Sequence, residues 1–277
     1  MKNMEETVKA VVSIGASKAV QGTGIHAVMG ILAGSYIALG GVLALKVTGG
    51  LPPAMGGASR LLFGLVFPVG LLMVLVAGAS LFTGDVMYLP AAWSRKAAGF
   101  RSVLRFLALS WVWNFAGSVL VAWLADASGI LADKGPGGTL PAAAASVALA
   151  NMKCALGFCE AFLRGVGCNW LVCLAVYMSL SAEDGVSKAV LMWPPITAFV
   201  AMGMEHSVAN MCFVPLGIFL GSRPEALGAG IELTATWGAF LRDNLVPVTL
   251  GNIAGGVLFV AFPYLLATRP PRPGGGK

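Results

Sequence analysis

Residues 202–211 read MGMEHSVANM, which puts Glu205, His206, Ser207 and Asn210 inside a stretch that otherwise has the composition of a membrane span. The whole chain makes those residues conspicuous. Of 277 residues, 57% are hydrophobic and 11% charged, and the mean hydropathy is +0.83. A soluble domain of this length could not keep such a composition on its surface. A hydrocarbon core about 30 Å thick needs about 20 apolar residues per helix, and six such spans are predicted, at 27–45, 61–93, 101–125, 157–180, 188–220 and 244–267. The second and fifth are too long for one plain span, and the fifth contains MGMEHSVANM.

The chain also repeats itself. Residues 114–120 read NFAGSVL in the third span and 252–258 read NIAGGVL in the sixth, five matches in seven, 138 residues apart. The plain alternative is chance similarity among Gly/Ala-rich helices. As a repeat, each half holds three spans, an odd number, so the second half must insert upside down relative to the first. Whatever interrupts span two must then have a counterpart in span five. Span two runs from Leu61 to Ala79, meets Ser80-Leu-Phe-Thr-Gly-Asp85 and resumes at Val86; span five runs from Ala189 to Met202, meets Gly203-Met-Glu-His-Ser207 and resumes at Val208. Interrupted segments at matching positions point to a transport pathway, because non-helical backbone survives at membrane depth only when buried in protein or lining a wet cavity. The expected fold is an all-α membrane protein with six transmembrane helices in two inverted three-helix repeats, helices 2 and 5 being broken.

Charge orients the spans. Lys2, Lys9, Lys18, Arg95, Lys96, Arg101, Arg105, Lys188, Arg269, Arg272 and Lys277 fall on one side, against Lys46, Arg60, Lys134, Lys153, Arg164, Arg223 and Arg242 on the other. By the positive-inside rule both termini face the cytoplasm or an equivalent compartment. This bias accounts for the net charge of +6 without a nucleic-acid partner. Residues 1–25 lack the apolar core of a cleavable signal. There Met4, Val8, Val11, Val12, Gly15 and Ala19 recur at near-helical spacing, as in an amphipathic helix on the membrane surface. A six-helix domain is expected over 26–268 and a disordered tail over 269–277. The five cysteines include no CxxC pair and read as small apolar core residues. With two distant histidines, no zinc-type cluster, no Walker loop and no dinucleotide fingerprint, neither a metal, a cofactor nor an enzymatic activity is expected.

An ionisable residue inside a span defaults to a functional hypothesis. His206 lies at the centre of the most polar break. Its bland role is a neutral imidazole hydrogen-bonded to a neighbouring helix; its functional role is to offer a hydrogen bond or a proton to a passing anion. Inversion brings Thr83 opposite it, and a hydroxyl can donate to an anion or accept from imidazole. Half-helix N-termini after each break add N–H groups and a positive dipole end. The site is therefore suited to something small and negative, or to the neutral acid derived from it. Asn114, Asn210 and Asn252 read as scaffold and Asn169 as a residue that can face the pathway. Glu205 and Asp85 carry less information. Lys153, just before the fourth span, is either a snorkelling lysine or a mouth charge that concentrates anions.

LFTGD at 81–85, RGVGCNWLVCLAVYMS at 164–179, FVAMGMEHSVANM at 199–211 and NLVPVTLGNIAGG at 244–256 resemble the formate/nitrite transporter family, which includes formate, nitrite and hydrosulfide channels and algal chloroplast nitrite/bicarbonate members. The likeness covers nearly the whole chain. It implies a homopentamer of aquaporin-like protomers in the lipid bilayer, each with its own pore for small monovalent anions such as nitrite, bicarbonate or formate. It implies His206 as the central histidine with Thr83 as partner, Leu71 and Leu81 as the cytoplasmic slit, and Phe67, Phe82, Phe199 and Val172 as the outer one. Met204 is implied near the central chamber, Asn169 near the path and Lys153 at the vestibule. Members commonly carry Asp or Glu just before the LFT triplet, whereas this chain has Ser80. The membrane would be a bacterial inner membrane or a chloroplast envelope. Two other classes fit the residues less well: an aquaporin-like channel for water or neutral solutes, for which the paired Asn-Pro-Ala triplets are missing, and a membrane redox enzyme, which would need bound haem or metal.

Overall fold

In the computed structural model, which describes residues 1–135, 138–223 and 232–268, helix dominates from end to end. The tail expected over 269–277 lies outside the described residues. Helix α1 (Met4–Ala19) opens with a reciprocal cap between Asn3 and Glu6. There follow α2 (Thr23–Thr48), α3 (Gly56–Val66), α4 (Val69–Ala77), α5 (Phe82–Ser94) and α6 (Phe100–Ala127). The second half has α7 (Pro141–Cys154), α8 (Phe158–Ser181), α9 (Gly185–Ala201), α10 (Ser207–Gly221) and a long α11 (Trp237–Ala267). Wide π-turns over Phe240–Leu245 and Val257–Ala261 interrupt α11. Pro68, which has no N–H to give the ladder, sits at the jog between α3 and α4.

Each half thus has a short helix, a span, a broken span and a last span. Hydropathy predicts no element between the third and fourth spans, yet α7 forms there as the counterpart of α1. Its Ala-rich sequence falls short of a membrane span but suits a helix buried against α10, where Ala143, Val147 and Ala150 have no exposed surface. Helix α1 departs from expectation in the other direction. Its apolar face does not await lipid; Val8, Val11 and Gly15 are buried, and Gly15 lies so close to the Tyr88 carbonyl of α5 that an added Cβ would sit 2.1 Å from that oxygen.

The first break is shorter than the sequence suggests, and the two differ in register. After α4 the chain leaves the helix at Gly78 (φ 75°) and re-enters at Phe82; after α9 it leaves at Gly203 (φ 71°) and re-enters at Ser207. Phe82 to Asp85, expected as the break, form the first turn of α5. The left-handed turn needs glycine at both places. Aligning the two glycines pairs Ser80 with Glu205, Leu81 with His206 and Asp85 with Asn210.

Small residues let the outer spans touch backbone to backbone. A Cβ on Gly34 or Gly117 would fall 2.1 or 2.0 Å from the carbonyl oxygen of Asn114 or Ile31, locking α2 to α6. In the second half Gly251 and Gly255 meet the carbonyls of Phe162 and Val166, each with an added Cβ 2.2 Å away, locking α8 to α11. Trp111 Nε1 donates to Thr249 Oγ1 at 3.2 Å. These residues are 138 positions apart, the repeat offset, so the pseudo-twofold axis passes between them.

Candidate functional site

Each break is held by an asparagine from the last span of its own half. The Asn114 side-chain oxygen accepts from the Phe82 amide at 2.8 Å, while its Nδ2 donates to the carbonyls of Gly30 and Ser80, both at 2.9 Å. Asn252 repeats the arrangement, accepting from the Ser207 amide at 2.8 Å and donating to the carbonyls of Gly165 and Glu205, both at 2.9 Å. Both asparagines are fully buried. Backbone groups that leave the helix therefore find partners without water. The five-of-seven repeat is this pair of clamps.

The clamps bring the breaks together. Thr83 Oγ1 lies 3.0 Å from His206 Nε2. His206 also caps α10, its Nδ1 accepting the Ala209 amide at 3.0 Å. A backbone amide can only donate, so Nδ1 must offer a lone pair and the neutral ring must carry its proton on Nε2. That N–H then donates to Thr83 Oγ1. The Thr83 carbonyl is itself held by Asn169 Nδ2 at 3.0 Å and by Cys173 Sγ at 3.2 Å, and Asn169 also reaches the Asn252 carbonyl at 2.7 Å. Asn169, expected near the pathway, thereby positions Thr83.

Two cavities open toward this pair from opposite ends of the molecule. The one at the α7 end, about 380 Å³, is lined by Arg60, Phe67, Lys153, Phe199, Met204 and His206, among others. The one at the α1 end, about 220 Å³, is lined by Lys18, Leu71, Leu81, Asp85 and Lys188, among others. Phe67 and Phe199 meet edge to face with centroids 6.0 Å apart, and Phe199 lies 5.8 Å from the His206 ring. Phe213, which the sequence did not single out, completes the aromatic group 6.2 Å from Phe67. Leu71 and Leu81 are buried at the floor of the opposite cavity. Phe82 and Val172, expected in the outer slit, are buried and border neither open cavity.

Lys153 lines the α7-end cavity with its charge paired. It neither snorkels nor stands free at the mouth: the last turn of α7 buries it, and Nζ pairs with Glu205 Oε1 at 2.9 Å. The other Glu205 oxygen accepts from Asn210 Nδ2 at 2.6 Å and Asn244 Nδ2 at 3.3 Å, and Asn244 also donates to the Lys153 carbonyl at 2.9 Å. Asn244 sits in the first π-turn of α11, a geometry that periodicity does not reveal. Glu205, which carried little information in sequence, is the hub of this network.

A sequence profile described as "Formate/nitrite transporter" matches residues 5–266. The chain belongs to the formate/nitrite transporter family. It is 46% identical over 274 residues to a "Probable formate transporter" of Methanothermobacter thermautotrophicus, covering 95% of this chain and 96% of that one. Among solved structures it is similar to an "FNT family ion channel" (TM-score 0.83, 30% identity, 95% of this chain and 99% of that one). It is similar as well to a "Pentameric formate channel with formate bound" (TM-score 0.78, 32% identity, 88% and 97%).

Within this formate/nitrite transporter family chain, the serine before LFT has a structural counterpart. Lys18, in the last turn of α1, donates to Ser80 Oγ at 2.9 Å and pairs with Asp85 Oδ1 at 2.6 Å. Ser110 donates to the second Asp85 oxygen at 2.7 Å. The carboxylate that meets the lysine stands five positions beyond Ser80 here, whereas in the second half the acid (Glu205) precedes its amide (Asn210) by the same interval. Each half therefore holds one lysine paired with a buried carboxylate, with the acid at opposite ends of the same six-residue segment.

Proposed function

We propose that the chain forms a channel for small monovalent weak-acid anions, formate foremost, with nitrite and bicarbonate as further substrates. One observation carries the proposal: the buried Thr83–His206 pair lies between two cavities that open at opposite ends of the molecule. The names of its relative and of the solved channel favour formate. In the proposed path an anion enters the larger cavity and meets the Phe67, Phe199 and Phe213 rings, where a bare charge loses hydration at a cost of several kcal/mol. Thr83, its oxygen occupied by His206 Nε2–H, has its own hydroxyl proton free to donate. That hydrogen bond, or uptake by the anion of a proton from the water of the cavity to give the neutral acid, offsets the lost hydration before the Leu71 and Leu81 side chains are passed.

The proposed assembly is a homopentamer, as in the solved formate channel. Leu43, Leu120, Leu163, Trp170 and Phe259, all exposed, supply apolar surface for lipid or neighbouring protomers. By the positive-inside rule the α1 end faces the cytoplasm of a prokaryotic membrane.

The test is initial flux of formate, nitrite and bicarbonate into proteoliposomes from weakly acidic to weakly alkaline pH. His206→Asn should lower flux by about tenfold or more while the oligomer still assembles. Wild-type flux in that variant would remove His206 from the mechanism, and water movement without anion flux would favour a neutral-solute channel.

A further inference from the structure

Each cavity is bordered by a lysine, buried Lys153 and partly buried Lys18, and both are neutralised: Lys153 by Glu205 and Lys18 by Asp85. A charge cancelled at hydrogen-bond distance draws little from solution. Another cation borders each cavity, Arg60 at the α7 end and Lys188 at the α1 end. Among the described residues neither makes an ion pair or a side-chain hydrogen bond. Arg164, the remaining cation of the larger cavity, is held by Glu160 and by the Gly203 carbonyl.

Arg60 and Lys188 stand in similar places near the starts of the two broken spans. Each follows a serine, in Ser59-Arg60 and Ser187-Lys188, in the opening turns of the first half of a broken span, α3 and α9 respectively. Arg60 is exposed and Lys188 half-buried, and Ser59 lines the larger cavity beside Arg60. Inversion carries one to each mouth of the path.

We propose that Arg60 and Lys188 are the anion-recruiting residues of the two mouths. The proposal rests on the anion-channel function above. A mouth lined by uncompensated charge of one sign raises the local concentration of the opposite ion. At separations of several ångströms in a water-like medium, one unit charge changes that concentration by roughly threefold, and salt screens the effect within a Debye length of about 10 Å at 0.1 M.

The experiment is formate flux into proteoliposomes at concentrations far below saturation, with an impermeant salt raised from about 10 mM to about 300 mM ionic strength. Wild-type flux should fall as salt rises. Arg60→Gln and Lys188→Gln should each lower low-salt flux by about two- to fivefold and flatten the salt dependence. The pair together should flatten it further, and Arg60→Lys should restore it. Arg101→Gln, which removes a cation bordering neither cavity, should keep the wild-type slope. A passive path obeys detailed balance, so limiting permeability should fall equally in both directions. Wild-type flux and slope in both Gln variants, in a protein that still elutes as the native oligomer, would overturn the recruiting role and leave the channel standing. Absence of anion flux in the unaltered protein would overturn the channel function itself.

Discussion

Replacing Asn252 by leucine, similar in size but unable to hydrogen-bond, tests the clamp that holds the second break. Three bonds disappear, but their costs differ. The Gly165 carbonyl lies inside α8 and keeps its helical partner, so losing the asparagine costs little. The Ser207 amide is a first-turn donor of α10 with no helical acceptor, and the Glu205 carbonyl belongs to the break itself. Both are buried and would be left unpaired, at about 1–3 kcal/mol each, giving a destabilisation of about 2–6 kcal/mol. By the usual relation between free energy and melting temperature for a chain of this size, that is a loss of roughly 5–20 °C. Because the break also sets the Thr83–His206 distance, flux should fall as well. Asn114→Leu strips the equivalent groups, the Phe82 amide and the Ser80 carbonyl, and should behave alike. Thermal unfolding of the purified oligomer, followed by tryptophan fluorescence or light scattering, reads the effect. A shift of under about 2 °C in both variants would refute the clamp.

Asp85→Ser should leave Lys18, partly exposed at the α1-end cavity, without its carboxylate and destabilise the protein by about 1–3 kcal/mol. Adding Ser80→Asp should recover most of that, since Lys18 Nζ already lies 2.9 Å from Ser80 Oγ, and thermal unfolding of both variants decides it. Gly255→Ala would set a Cβ 2.2 Å from the Val166 carbonyl and force α8 from α11, so the yield of folded protein from the membrane should drop sharply; normal yield would show the helices can separate at little cost. The Asp184 carboxylate caps α9 through the Ser187 amide, which holds its pKa below the usual range. Its stabilisation is therefore full above the ordinary carboxylate pKa and fades as pH falls through the lower folded value. Asp184→Asn should remove that acid dependence of the melting temperature.

What the sequence determined by itself follows from the bilayer. Hydrocarbon demands about 20 apolar residues per crossing and satisfied backbone, so composition announced the spans, the overlong second and fifth announced the breaks, and NFAGSVL with NIAGGVL announced the inversion. His206 and Thr83 were legible because polar side chains at membrane depth are costly and therefore conspicuous. The tertiary structure decided whatever depends on partners remote in the chain. Lys153 reads as a mouth charge until α7, too short and Ala-rich to register as a span, buries it on Glu205. Asp85 and Asn244 become informative only through a lysine 67 positions away and a π-turn in α11, respectively. Periodicity reports which face of a helix is apolar; in a protein apolar on nearly every face, only the fold distinguishes lipid, core and pore.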